Sequence, residues 1–421
     1  MFKKLTLDNG LRIILAPLKE SLSATVMVFV EAGSKYETKE TNGISHFLEH
    51  MCFKGTKNRP SQIQIANELD ELGAVYNAFT SLEYTGYFIK VRNAHLEKAL
   101  DIVSDIYLNQ LFNEEEITKE KGVIIEEINY NQDTPTRNIW DIYLSLLYGD
   151  QPAGWDIAGT VENIKSFTRD TFVQYHKEHY VAKGTVVVIA GNFNESETIE
   201  KIKEYFSGIS QTDKYSKIKI IDEQNKPAVS LKYKELDQTH LILGIRNPYN
   251  VFSEEKYALD ILAEVLGGGF SSRLWQRIRE KMGVAYYIGA GADLYTDHGY
   301  LAINSGVDNK RVEEVIKAVI EELKGIEGTL DDKEIERAKE HLMGNMILGL
   351  ETSNQWSGFY AGQEVMTREI LKPEEIIEKF KKVSKEDIQK IAREIFSDKN
   401  LNLALTGPFK EKEKFEQILK F

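Results

Sequence analysis

In the stretch "NGISHFLEHMCFKGT", residues 42–56 of a 421-residue chain, His46, Glu49 and His50 occupy positions i, i+3 and i+4. On an α-helix that spacing turns all three to one face, so two imidazoles and a carboxylate share one patch. Ile44, Phe47, Leu48 and Met51 fill the other sides. A helix apolar around most of its girth is a buried one, which turns the polar face toward an internal cavity. A lone buried histidine is most simply a core residue hydrogen-bonded to backbone. Three convergent groups are better explained by a metal ion. Asn42 reads as the N-cap and Gly55 as a left-handed stop, which predicts a helix of about three turns.

The spacing is that of H-x-x-E-H, the inverted form of the zinc-peptidase signature. Catalytic zinc takes three protein ligands and keeps a position for water, so a further ligand must come from elsewhere. The stretch "NEEEITKEKGVIIEEINYNQD", residues 113–133, reads as one long helix with an apolar stripe through Ile117, Ile124 and Ile128. Glu120 and Glu127, seven residues apart, lie in or beside that stripe and are expected to point inward. Glu126 falls on the side of Lys119, Gly122 and Asn129 and is expected in solvent. Glu114, Glu115 and Glu116 suit the helix N-terminus. Inward carboxylates call for a cation, either a metal or an arginine. Glu127 is therefore assigned as the third ligand and Glu120 as its supporting neighbour. Structural ion pairs are the alternative for both.

The elements that hold these groups follow from the rest of the chain. Its length predicts two or more domains. With 42% apolar and 28% charged residues and no low-complexity tract, the composition is that of a folded globular protein. No apolar run nears the roughly 20 residues that span a bilayer. The N-terminus alternates apolar and polar residues as a strand does and does not read as a signal peptide. The one cysteine, Cys52, excludes an intrachain disulfide, suits a reducing, cytoplasmic location, and falls on the apolar side of the first helix. A net charge of −13 argues against a nucleic-acid partner.

Residues 161–193 can be laid without a gap on residues 377–409, and "LEYTGYFIKVRNAHLEKALDIVSDIYLNQ" more loosely on "DLYTDHGYLAINSGVDNKRVEEVIKAVIEELKG". This half-chain repeat predicts two homologous α+β domains, each an antiparallel-rich sheet packed with helices. The expected domains are residues 1–215 and 216–421, divided within the polar stretch 207–227. Where the first half has "ISHFLEHM" the second has "ALDILAEVLGGGFSSRL", with the same helical pattern and no histidine, so only the first is expected to hold metal. Gly267–Gly269 lack a following Gly-Lys-Ser/Thr and read as a loop before a helix starting near Arg273, not as a phosphate cradle.

Together "NGISHFLEHMCFKGT", "LGAVYNAFTSLEYTGYF", "KEKGVIIEEI", "VVVIAGNF" and "LGGGFSSRLWQRIREKMGVAYYI" resemble the M16 peptidases, the family of pitrilysin, insulin-degrading enzyme and the mitochondrial processing peptidase. The likeness covers nearly the whole chain and is closest to the half-length, processing-peptidase-like branch. It implies a clamshell built from such domains, one Zn2+ per chain on His46, His50 and Glu127, Glu49 as general base and Glu120 in support. The family spacing to the third ligand is usually one residue shorter. The extra residue here falls between Arg59 and Asn77, and it makes Glu126 the rival of Glu127. The resemblance further implies that Asn77 and Ala78 pair with an extended substrate backbone and that Arg279 and Tyr286 of "IREKMGVAY" bind the substrate carbonyl. It implies peptide-bond hydrolysis by a homodimer, with a heteromer of related subunits as the variant. A non-catalytic core or assembly subunit is the alternative function.

Overall fold

The computed structural model describes residues 2–421. Besides short 3-10 turns, the first half of the chain runs β1 (Lys3–Thr6), β2 (Arg12–Pro17), β3 (Ser23–Val30), α1 (Ile44–Met51), α2 (Gln62–Glu71), β4 (Val75–Thr80), β5 (Thr85–Arg92), α3 (Leu96–Leu108), α4 (Glu114–Asp133), α5 (Pro135–Tyr148), α6 (Val161–Ser166), α7 (Arg169–His179), β6 (Thr185–Gly191) and α8 (Glu195–Tyr205). The second half runs β7 (Ala228–Tyr233), β8 (Gln238–Asn247), α9 (Lys256–Gly267), a π-helical segment Trp275–Lys281, β9 (Ala285–Leu294), β10 (Gly299–Asp308), α10 (Val312–Thr329), α11 (Asp332–Leu348), α12 (Ser353–Thr367), α13 (Pro373–Lys382), α14 (Lys385–Ile395), β11 (Leu401–Gly407) and α15 (Glu413–Ile418). A shift of 216 residues carries the bounds of α7 onto α14 and those of β6 onto β11. The repeat read from the sequence is thus a repeat of structure. Thr168 and Ser384 cap the paired helices with the same reciprocal side-chain box.

The chain folds as α+β with two sheets, one of order β1-β2-β6-β3-β5-β4 and one of order β7-β11-β8-β10-β9. Only β2 with β6 and β7 with β11 run parallel; all other neighbours are antiparallel. Strands β2, β3, β6 and β11 are buried along nearly their whole length, so they read as continuous apolar runs and not as alternating ones. Each sheet must therefore be covered on both faces.

That requirement shapes the domains. The first compact unit comprises residues through Asn129, Trp155–Ile218 and Gly349–Ile370; the second comprises Tyr130–Gly154, Lys219–Leu348 and Leu371–Phe421. A single cut at 215/216 does not describe them. One crossing falls at 218/219, within the expected polar stretch, but each unit also takes in one helix from the opposite half of the sequence. In the first unit α12 sets Tyr360, Ala361 and Val365 against Ile14, Met27, Phe29 and Val188 of β2, β3 and β6. In the second, α5 sets Ile139, Tyr143 and Leu147 against Ile242 of β8 and Ala404 of β11. The two helices follow α4 and α11, the matching long helices of the repeat. An ion-pair network seals the first exchange: buried Arg12 reaches Glu31 at 2.9 Å and Glu364 of α12 at 3.2 Å.

Candidate metal centre

Helix α1 is shorter than the pattern predicts and is capped differently. It spans eight residues, and Gly43, not Asn42, precedes its first turn with a φ of +100°. A Cβ at Gly43 would lie 2.7 Å from the Ala158 carbonyl, so glycine is required there. The exposed amides of the first turn are taken by Glu37, which accepts from Gly43 N at 2.9 Å, Ser45 N at 2.8 Å and Asn42 Nδ2 at 3.0 Å. Burial pushes the Glu37 carboxyl up from its ordinary pKa against the pull of those hydrogen bonds. A carboxylate six residues upstream thus does the capping, and Asn42 spends its amide on Glu37 and the Asp156 carbonyl. Gly55 does adopt positive φ, at +132°, four residues beyond the helix end.

From α1, His46 and His50 project side by side, their rings 4.8 Å apart at centroid and inclined by 71°. Glu127 of α4 faces both, with Oε2 at 3.7 Å from His46 Nε2 and 3.6 Å from His50 Nε2. One ligand atom from each of the three lies within 4.8 Å of the others, the one such group of three found among the described residues. Ligand atoms about 2.1 Å from a tetrahedral zinc stand about 3.4 Å apart, so the donor set and its spacing fit the metal. Burial, with His50 as a like neighbour, lowers the His46 pKa to about 4, which leaves this imidazole neutral and able to ligate. For His50 burial acts in the same direction, but the Glu120 hydrogen bond and the charges of Glu127 and Glu49 outweigh it and raise the pKa.

The two α4 glutamates do not share one environment. Glu120 is buried and accepts from His50 Nδ1 at 2.9 Å. Glu127 is 48% exposed, so the expectation that both point inward is corrected. A heptad drifts by about 20° on a straight helix, and the later residue emerges at the rim, where the histidines themselves are only about four-fifths buried. Glu126 is exposed and stands outside the triplet. Glu49, on the same face of α1, accepts from the Thr80 hydroxyl at 2.6 Å. Burial raises its pKa above the ordinary carboxylate value, with Thr80 and His50 pulling it back.

Residues 12–161 match the family model described as insulinase (peptidase family M16), and residues 166–342 match that of the peptidase M16 inactive domain. A Rickettsia felis protein named "uncharacterized zinc protease" is 35% identical over 402 residues, 96% of each chain. The chain is a member of peptidase family M16. A second relative within the family, the Bacillus subtilis protein named "uncharacterized zinc protease YmxG", is 34% identical over 97% of this chain and 98% of its own. The crystal structure of a Helicobacter pylori protease shares the fold, with a TM-score of 0.89 and 24% identity over 97% of this chain and 99% of that one.

The remaining residues expected from the M16 resemblance lie on two edge strands and a π-helical segment. Strand β4 is an edge strand that pairs only with β5, so one row of its backbone groups has no strand partner. It presents Asn77 to solvent while Ala78 packs inward. In the second unit Arg279 sits on the π-helical segment Trp275–Lys281, an uncommon geometry that recurs at functional sites. Its Nε is buried with no hydrogen-bond partner among the described residues. Tyr286 is 74% exposed on β9, the edge strand of the second sheet. At the place matching α1, α9 offers Glu264, which meets His341 of α11 at 2.5 Å with no third candidate ligand among the described residues. Cys52 is buried and its thiol is pushed to about 12 by burial, so it packs and does not react.

Three residues around the triplet escaped sequence reasoning: Glu37, Lys54 and Thr80. Glu37 and Thr80 act through tertiary contacts that no local pattern marks. Lys54 stands inside the quoted motif, but nothing in its spacing announces that it pairs with Glu120.

Among the described residues no helix is long and apolar enough to cross a membrane.

Proposed function

We propose that this chain is a zinc-dependent endopeptidase of the processing-peptidase-like branch, hydrolysing peptide bonds in extended peptides or unfolded segments. The observation that carries the reading is the convergence of His46, His50 and Glu127 within 4.8 Å, with the carboxylate of Glu49 on the same helix face. These three residues would hold one zinc per chain. When bound, the metal supplies Lewis-acid polarisation of the scissile carbonyl and lowers the pKa of water to about 7.

The chain's own groups do the rest. Glu120 fixes His50 by accepting a hydrogen bond from Nδ1–H, which keeps the proton on Nδ1 and leaves Nε2 as the ligating atom. Glu49 accepts a proton from the attacking water and passes it to the leaving amine; its raised pKa suits both transfers. Thr80 holds that carboxylate in place. The unpaired edge of β4 at Asn77 and Ala78 adds the substrate as a further strand, a mode that reads main chain before side chain. Arg279 and Tyr286 donate to the carbonyl oxygen as it gains charge, which stabilises the transition state more than the ground state. Two copies of the chain pair to complete the chamber, a related subunit being the variant.

The test is cleavage of a quenched fluorescent peptide by the pure protein, with metal content measured on the same sample. Cleavage that a chelator abolishes and added zinc restores supports the proposal. A folded, zinc-loaded protein that leaves every unfolded peptide intact would sink it in favour of a non-catalytic assembly subunit.

A further inference from the structure

The carboxylate of Glu120 is only 5% exposed, and both of its oxygens are engaged. Oε1 accepts from His50 Nδ1 at 2.9 Å, and Oε2 lies 2.6 Å from the ammonium of Lys54, itself 15% exposed. Of the two neighbouring lysines on α4, Lys119 pairs with Glu116 and Lys121 donates to the Lys165 carbonyl at 2.8 Å. Lys54 is thus the one ammonium ion-paired with Glu120 among the described residues. It stands four residues after His50, in the turn that closes α1, and its second contact is Gln62 Oε1 at the start of α2, at 3.2 Å.

A carboxylate anchored through one oxygen can pivot about its Cγ–Cδ bond, and a buried one also carries an uncompensated charge. A charge-assisted contact on the other oxygen removes both problems. We infer that Lys54 is a positioning residue of the metal centre. It locks the plane of Glu120 so that Oε1 meets His50 Nδ1, and the imidazole in turn holds Nε2 toward Glu127. The chain of contacts is Lys54–Glu120–His50, and its output is affinity for metal. This inference rests on the zinc reading above.

The experiment measures zinc affinity of the metal-free full-length chain by competition with a chromophoric chelator, alongside melting curves of the same metal-free samples. Lys54→Met is expected to weaken zinc binding 10- to 100-fold, the usual effect of losing a partner behind a ligand, while Lys54→Arg recovers affinity to within a few-fold. Gln62→Ala, which removes only the other contact, should bind zinc as wild type does. In a Glu120→Gln background, Lys54→Met should add little, because the two substitutions break one chain. If Lys54→Met does not fold, Lys54→Gln replaces it. Wild-type affinity in the neutral variant, or a full additive loss in the Glu120→Gln background, overturns the inference while leaving the zinc reading intact. A wild-type chain that binds no zinc overturns both.

Discussion

Thr80 and Glu49 are joined by a 2.6 Å hydrogen bond that ties α1, the helix of the histidine pair, to the edge strand of its own sheet. The contact orients a half-buried carboxylate that burial has made more basic than an ordinary one. It also sets Glu49 apart from its helix neighbours: the histidines meet Glu127, whereas Glu49 meets an edge strand.

Glu49→Gln is therefore expected to keep its zinc and lose turnover by about 10²–10⁴-fold, the contribution of a positioned proton-transfer group. Metal content and rate should be read from one preparation. Cleavage above a few per cent of wild type would remove Glu49 from the base role.

Glu127→Gln should lose most of its zinc, because a ligating carboxylate is replaced by a weak amide donor, whereas Glu126→Gln should retain it. Equilibrium dialysis against a zinc buffer distinguishes them. Zinc that follows Glu126 instead would mean that the facing contacts of Glu127 with His46 and His50 are electrostatic only.

Tyr286→Phe removes one exposed hydroxyl and leaves zinc content and fold alone. A donor to the developing oxyanion is worth about 10²–10³ in kcat, and that loss is expected. A rise in KM at unchanged kcat would reassign the hydroxyl to substrate binding, and unchanged kinetics would take Tyr286 out of the reaction.

Gly244→Ala tests the exchanged helix of the second unit. A Cβ there would lie 1.9 Å from the hydroxyl oxygen of Tyr143 on α5, whose ring is fully buried. Overpacking of this kind costs about 1–3 kcal/mol, so the denaturant midpoint should fall. Tyr143→Phe removes that oxygen but leaves ring carbons 2.2 Å from the added Cβ, so it should return little of the loss.

Two histidines away from the His46–His50 pair, His179 buried and His176 half-buried, give a pH dependence. His176 donates from Nε2 to the Tyr107 carbonyl at 2.9 Å, His179 stacks on Tyr175, and burial lowers both to about 4. Because the unfolded chain titrates near 6.5, it binds more protons than the folded chain between those values. Stability is fully present above about pH 6.5 and is lost as pH falls toward 4, by at most about 3 kcal/mol for each histidine. Unfolding curves in excess chelator should show this slope, and His179→Phe should flatten it. A slope unaltered by that substitution would place the protons elsewhere.

The histidine pair and Glu49 were legible in the sequence because their geometry is local: positions i, i+3 and i+4 share a face on any helix. The same holds for the long helix carrying Glu120 and Glu127 and for the 216-residue repeat, whose paired elements keep their boundaries because caps and apolar periods travel with the sequence. What a repeat does not encode is which sheet a helix covers. The exchange of α5 and α12 is decided by long-range burial, since strands buried on both faces need a cover and either copy of the helix carries a suitable apolar stripe. The same limit applies at the site. Helical period brings Glu120 and Glu127 to one side, but only tertiary packing puts one beneath His50 and leaves the other at the rim. Glu37, Thr80 and Lys54 come from a connecting segment, a strand and a turn whose local patterns predict nothing about α1, and it is the folded chain that brings their oxygens and ammonium within hydrogen-bond reach of the helix, of Glu49 and of Glu120.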